Sequence, residues 1–337
     1  MKLDRRRFLQ QALIVGSALA LSDRRLLRRA LAQEDMELTG NISPVHDPCI
    51  IKEDDTYYLF CTGAWIPIRT SKDLVEWELI GNTFRGLPPW AREAIPRADS
   101  IWAPDISYFN GRYHLYYSVS TFGSNRSVIG LATNVTLNRD SPDYEWVDEG
   151  LVVETHTSRD HNAIDPNVVL DDEGIPWLSY GSHWSGIKMR RLDPETGKPS
   201  AEDDTLYSLA SRAEHPRAVE APFIIRKGGF YYLFVSFDQC CRGVTSTYRV
   251  MVGRSEDVTG PYVDRDGAPM LEDGGTQVTF ATDRWRGPGH NAILQDGDQD
   301  YLVCHAYDAR RVGIPTLRIL PIIWDEDGWP TVDMGSE

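Results

Sequence analysis

The sequence predicts an all-β chain folded as a five-bladed β-propeller. One phrase recurs five times: a short turn motif, usually containing proline, then an apolar run, a turn and a second apolar run. The copies are anchored at positions 48, 104, 166, 222 and 290, a spacing of 56 to 68 residues. Self-similarity at this period in β-rich sequence indicates a propeller with one blade per repeat. Hairpins scattered over a β-sandwich are the competing arrangement, and they give no reason for the regular period.

The first copy, Asp47-Pro48-Cys49-Ile50-Ile51, precedes Tyr57-Tyr58-Leu59-Phe60. The second runs Ala103-Pro104-Asp105-Ile106 before Tyr113 to Tyr117, and the third Asp165-Pro166-Asn167-Val168-Val169 before Trp177-Leu178-Ser179-Tyr180. In the fourth, Glu220-Ala221-Pro222 opens the apolar run Phe223-Ile224-Ile225, and Lys227-Gly228-Gly229 separates it from Phe230 to Phe237. Two β-rich runs around a Gly-Gly turn read as a hairpin. Pro222 cannot donate to a sheet ladder, so it marks where the strand begins. The fifth copy, Gly289-His290-Asn291-Ala292-Ile293 before Tyr301-Leu302-Val303, carries histidine where the others carry proline.

Residues 1–32 stand apart from this pattern, and the propeller is expected to span 33–337. Arg5-Arg6-Arg7-Phe8-Leu9 precedes a moderately apolar run, Ala12 to Leu21, and Ala30-Leu31-Ala32 supplies a small-x-small cleavage site. This order reads as a twin-arginine export signal. No other apolar run reaches the roughly 18 residues a membrane span needs, so the mature chain is expected to have no membrane partner. The net charge is −15, and because the signal carries +6 the remainder is −21. Such a surface repels phosphate backbones and argues against nucleic acid. It favours neutral or cationic partners, and the mature chain is expected as a monomer.

The five cysteines, Cys49, Cys61, Cys240, Cys241 and Cys304, lack zinc-site spacing. They are expected as buried free thiols, with adjacent Cys240-Cys241 as packing or loop residues rather than a disulfide. Asp296, Asp298 and Asp300 mimic the start of a calcium loop, but Tyr307 stands where the closing Glu belongs, so they read as a hairpin turn. His156, His161 and His183 read as solvated loop histidines.

The chemistry lies where the repeats begin. Aligned on proline, Asp47, Ala103, Asp165 and Ala221 share one register, and His46, Trp102, Ile164 and Glu220 the one before it. Innermost strands line a propeller's axis, so Asp47, Asp165 and Glu220 should converge at one end, beside Trp102 and His290. A single Asp-Pro is usually a turn. Three acids converging on one axis repel one another and raise each other's pKa, a cost accepted where it serves chemistry. One neutral and one charged carboxyl flanking a pocket are what glycoside hydrolysis requires, and Trp102, Trp184, Trp65 and Phe237 offer apolar faces for sugars.

With these phrases in hand, the chain resembles family 43 glycoside hydrolases, and within them the secreted endo-α-1,5-L-arabinanases. The matching phrases are His46-Asp47-Pro48, Trp102-Ala103-Pro104-Asp105, Ile164-Asp165-Pro166, Gly181-Ser182-His183-Trp184-Ser185-Gly186-Ile187, Val219-Glu220-Ala221-Pro222-Phe223, Cys240-Cys241-Arg242-Gly243 followed by Ser246-Thr247-Tyr248, and Gly287-Pro288-Gly289-His290-Asn291. The resemblance implies an inverting mechanism on arabinan or arabino-oligosaccharides. It implies Asp47 as general base, Glu220 as general acid and Asp165 as the third acid, which tunes and orients Glu220. It also implies substrate contacts from Trp102, Asn167, Ser182, His183 and Trp184, and a hydrated calcium ion near the axis held by His290. His183 departs from the pattern, standing where many arabinanases carry Phe. An exo-acting α-L-arabinofuranosidase or β-xylosidase of the family, or a carbohydrate-binding propeller without catalysis, are the alternatives; the intact acid triad favours an enzyme.

Overall fold

The computed structural model describes residues 36–213 and 216–335; the expected export signal lies outside them. From Glu37 onward the chain forms one compact unit. Each repeat becomes one antiparallel four-stranded sheet with strands in chain order. Blade one holds β2 (Cys49–Glu53), β3 (Thr56–Phe60), β4 (Pro67–Ser71) and β5 (Glu76–Asn82), with β1 (Thr39–Gly40) added parallel to β5 at the outer edge. A short helix, α1 (Pro89–Ala94), leads to blade two: β6 (Trp102–Phe109), β7 (Arg112–Val119), β8 (Ser127–Asn134) and β9 (Val147–Thr155). Blade three is β10 (Asn167–Leu170), β11 (Pro176–Tyr180), β12 (Ile187–Arg191) and β13 (Tyr207–Ala210). Blade four is β14 (Val219–Lys227), β15 (Phe230–Phe237), β16 (Arg249–Ser255) and β17 (Thr276–Gln277), and blade five is β18 (Trp285–Asp296), β19 (Gln299–Asp308), β20 (Ile314–Trp324) and β21 (Pro330–Val332).

The first strand of each blade is innermost, and β2, β6, β10, β14 and β18 contact one another in turn, with β18 returning to β2. The ring is fastened by the segment before β2: the Val45 N–H donates to Pro315 O at 3.0 Å, and the Leu317 N–H donates to Ile42 O at 2.9 Å. Arg69 gathers the same segment, donating to the carbonyls of Asn41 and Pro44.

Sequence period explains the packing between blades. In β15 the side chains of Tyr231, Leu233, Val235 and Phe237 enter the core shared with blade three, while Tyr232 and Phe234 enter the core shared with blade five. A strand buried on both faces reads as a continuous apolar run rather than an alternating one. Phe237 therefore belongs to the core, not to a sugar platform. Leu233 is fully buried, and its truncation to Ala would cost about 2–5 kcal/mol.

The inner strands share one local device. Each begins with a single residue of positive φ: Asp47 (51°), Ala103 (40°), Asp165 (57°), Ala221 (54°) and His290 (48°). In blades two, four and five it coincides with a β-bulge. This corrects the expected register of the fifth copy. His290 aligns with Asp47 and Asp165, and Asn291 takes the proline position. Sequence alignment anchored on proline slipped by one where no proline is present.

A positive φ costs a residue bearing a Cβ roughly 1–2 kcal/mol, and the surroundings must hold it. Here the blade before supplies the hold. The Ala103 N–H donates to Thr62 Oγ1 (2.7 Å), Asp165 N–H to Ser118 Oγ (3.0 Å), His290 N–H to Ser236 Oγ (2.8 Å) and Asp47 N–H to His305 Nδ1 (3.1 Å). The corresponding position of blade three is Gly181, which has no side chain. There the Ala221 N–H donates instead to the Asp165 carboxylate, at 3.2 Å.

Candidate active site

Three of the positive-φ residues, Asp47, Asp165 and His290, meet at a cavity of about 800 Å³. Asp47, Asp165, Glu220 and His290 form its floor, as the sequence led one to expect, and Trp102, Ser182, His183 and Trp184 line its walls. Asn167 is not among the lining residues. It lies deeper between blades, its Nδ2 donating to Asp105 Oδ1 (3.1 Å) and its Oδ1 accepting the Ile224 N–H (2.8 Å), which makes it a structural residue rather than a substrate contact. Trp65 is not among the lining residues either.

Asp47 is held as a carboxylate. Its Oδ1 lies 2.7 Å from His46 Nδ1 and 3.0 Å from His290 Nδ1, and its Oδ2 accepts from Thr62 Oγ1 at 2.6 Å. Burial alone would raise its pKa, but His46 and His290 outweigh burial and set it well below the ordinary carboxylate value. Thr62 must donate here, because an ionised carboxylate can only accept, while its oxygen also accepts the Ala103 N–H.

Glu220 receives two hydroxyl groups. Ser182 Oγ donates to Oε2 at 2.5 Å, and the Tyr248 hydroxyl donates to Oε1. Burial, with Glu220 beside it, pushes the Tyr248 phenol well above its usual range, so it remains a donor. His183 Nε2 stands 3.6 Å from Oε2. Ser182 and His183, expected as substrate contacts, thus also touch the acid. Asp165 is pushed up to about 8 by burial, then by Glu220 and Asp47, against the pull of His290. Asp165 therefore keeps its proton through neutral pH. His290 moves the other way: burial opposes its charge, but Asp47, Asp165 and Glu220 raise it to about 9. An imidazolium at the centre of three carboxyls offsets part of their mutual repulsion.

The residues also suit a hydrated cation near the axis. Asn291, beside His290, has both ends of its amide buried without a protein partner, and His305 Nε2 is likewise unpartnered. Buried groups of this kind are met by water or by an ion's hydration shell. His46, Asp47 and His305 offer ligand atoms within 4.8 Å of one another.

Several site residues were not read from the sequence. Thr62 and His305 stand at the same place in their blades as Ser118, Ser236 and Gly181, two residues beyond the partner of the first bulge-following residue, so counting from the second strand would have found them. Phe122 is largely exposed and packs on Trp102 with ring centroids 5.2 Å apart, extending the apolar wall at the cavity's mouth. Cys240 and Cys241 form a disulfide that lines the cavity, contrary to expectation, whereas Cys49, Cys61 and Cys304 are the buried free thiols expected. His161 is buried rather than solvated, with its carbonyl accepting from Asn125. Asp296 and Asp298 sit at the turn between β18 and β19, as read.

Comparison with known proteins follows this geometry. The family model described as glycosyl hydrolases family 43 matches residues 42–330. The chain belongs to this family. It is 46% identical over 301 residues, 86% of each chain, to an extracellular exo-α-(1→5)-L-arabinofuranosidase of Cellvibrio japonicus. It is 44% identical over 292 residues to the extracellular endo-α-(1→5)-L-arabinanase 1 of Bacillus subtilis, covering 85% of this chain and 87% of that one. The solved endo-arabinanase of Bacillus licheniformis superposes with a TM-score of 0.82 at 47% identity, over 88% of this chain and 99% of that one. The protein is thus a family 43 glycoside hydrolase by sequence, and its propeller is the fold of its solved relatives.

Proposed function

We propose that this hydrolase cleaves α-1,5-linked L-arabinan within the chain, by a single displacement with inversion. The observation that carries the reading is the convergence of Asp47, Asp165 and Glu220, from blades one, three and four, on one cavity walled by Trp102 and Trp184. The names of relatives at 44–47% identity supply the substrate. In this reading Asp47, kept ionised by His46 and His290, takes a proton from water as it attacks the anomeric carbon. Glu220, tuned and oriented by Asp165, protonates the departing glycosidic oxygen on the opposite side. Ser182 and Tyr248 fix the two oxygens of Glu220, so that the acid is oriented before substrate arrives. Trp102, with Phe122, and Trp184 give the sugar rings apolar faces. In its neutral form His290, with the unpaired Asn291 amide beside it, would hold a hydrated calcium ion, which when bound would replace the positive charge that the imidazolium otherwise supplies to the acids; elemental analysis of the purified protein checks this.

A second reading, release of single arabinose units from a chain end, is favoured by the name of the 46% identical relative. Product analysis on linear arabinan separates the two. Internal cleavage gives a ladder of oligomers at early times, and exo action gives one small product throughout. Proton NMR of the same digest should show the β-anomer first. Early α-anomer would recast Asp47 as a nucleophile.

Export belongs to the same reading, since both relatives named above are called extracellular. The route we propose is the twin-arginine one. Arg5-Arg6→Lys-Lys should leave precursor inside the cell, and normal export of that variant would remove the route. Among the described residues no helix is long and apolar enough to cross a membrane.

A further inference from the structure

The cavity lining carries a group that the hydrolytic chemistry does not use, the Cys240–Cys241 disulfide. A bond between adjacent residues closes a small ring that includes their own peptide unit and so fixes the backbone there. Cys241 is held at φ 64°, a conformation a residue with a Cβ seldom adopts unaided. In that conformation its N–H donates to the Tyr307 hydroxyl at 2.7 Å. The Tyr307 hydroxyl is in turn 2.8 Å from His46 Nε2, and His46 Nδ1 is 2.7 Å from Asp47 Oδ1.

The polarity of this chain can be followed atom by atom. The Tyr307 oxygen accepts from the Cys241 amide, so its own proton is free to go to His46 Nε2. An Nε2 that accepts leaves the imidazole proton on Nδ1, where it is donated to Asp47. Stacking of the His46 ring on His305, centroids 3.8 Å apart, limits the ring to sliding or turning in its own plane. The Asp47 carboxylate requires the same tautomer from its own side, and the Tyr307 contact on the disulfide's side fixes where the His46 ring sits.

We propose that the Cys240–Cys241 disulfide is a positioning element for Asp47, acting through Tyr307 and His46, and that turnover depends on the redox state of this pair. The inference rests on the reading of Asp47 as the base. The redox step is ordinary thiol–disulfide exchange with a small dithiol. One reductant thiolate attacks a cysteine sulfur and forms a mixed disulfide. The second reductant thiol then closes its own disulfide. Two electrons and two protons pass to the enzyme, leaving two cysteine thiols. Freed of the ring, Cys241 can leave the left-handed conformation, its amide withdraws from Tyr307, and His46 loses its fixed partner. Cys49, Cys61 and Cys304 are already thiols, so the dithiol has one disulfide to act on among the described residues.

The test compares kcat and KM on linear arabinan for the oxidised protein, the protein reduced by dithiothreitol, and two variants, Tyr307→Phe and the double variant Cys240→Ser, Cys241→Ser. Alkylation and mass measurement count the thiols, and near-UV circular dichroism follows the fold. Reduction should expose two additional thiols and lower kcat by about ten-fold, since small misplacements of a reacting group cost up to about a hundred-fold. KM should stay within about two-fold, and removing the reductant should restore the rate. Both variants should begin at the lower kcat and fail to respond to reductant. The proposal is overturned if kcat is unchanged after two thiols appear, if Tyr307→Phe still responds, or if reduction abolishes the near-UV signal, which would make the pair a simple fold staple. An active Asp47→Ala would instead remove the base assignment itself, so the two failures are distinguishable.

Discussion

Four of the five blade junctions hold the next inner strand with a neutral group, and one holds it with an acid. At the junctions into blades one, two, three and five, His305, Thr62, Ser118 and Ser236 accept the N–H of the positive-φ residue. At the junction into blade four the series meets Gly181, and Asp165 accepts in its place. A side chain is barred at 181: a Cβ there would lie 2.6 Å from the carbonyl oxygen of Gly186, and φ is +142°. The strand so held is the one that carries Glu220, one residue before Ala221. The odd junction is therefore the one that carries the proposed general acid. What the other four do with a hydroxyl or a neutral imidazole, this one does with a group whose charge also reaches Glu220, so positioning and proton affinity are joined in one side chain.

The largest effects expected from breaking this arrangement fall on the two acids that meet substrate. Glu220→Ala should lower kcat on arabinan by about two to four powers of ten, the range for a lost general acid. A substrate with an activated aryl leaving group needs no protonation and should recover part of that loss. Asp47→Ala should lose activity on both substrates, because water must be activated in either case. Steady-state rates on the two substrates check the pair; equal losses for both variants on the aryl glycoside would contradict the assignment.

The contrast between junctions also explains what could be read without a structure. The five copies and their period carry the propeller, because each blade must repeat the same buried, hairpin-joined strands. The three acids were legible because adjacent registers at the starts of the repeats come together on a ring. His290 was assigned one position off, since its copy lacks the proline that anchored the rest. The resemblance implied Asn167 as a sugar contact, yet its side chain points between blades, where it satisfies Asp105 and the Ile224 amide. Thr62, Tyr248, His46 and Tyr307 act through hydrogen bonds to residues from 15 to 261 positions away, and no local pattern encodes such pairings. The disulfide ran against the usual behaviour of adjacent cysteines.

The smallest expected effect, and the one that most sharpens the comparison, comes from separating the two tasks of Asp165. Asp165→Asn keeps an oxygen that can accept the Ala221 N–H and removes the charge; Asp165→Ala removes both. Of the two neighbouring acids Asp165 and Glu220, Asp165 keeps a proton at neutral pH, because burial followed by the charges of Glu220 and Asp47 pushes it up to about 8. The basic limb of the kcat profile then reports loss of the last proton from the pair. In Asp165→Asn no second carboxylate repels the charge forming on Glu220, so that proton leaves more readily and the basic limb moves to lower pH. The fold should hardly notice, because the N–H keeps its acceptor. In Asp165→Ala the same limb should move, and the buried amide left without a partner should cost about 1–3 kcal/mol more than in the Asn variant. Rate profiles against pH and denaturant unfolding of the two variants measure the two tasks separately. An unmoved basic limb in both would leave Asp165 as a clamp alone, the acidic equivalent of Ser118 and Ser236, and equal stabilities would leave it as a charge alone.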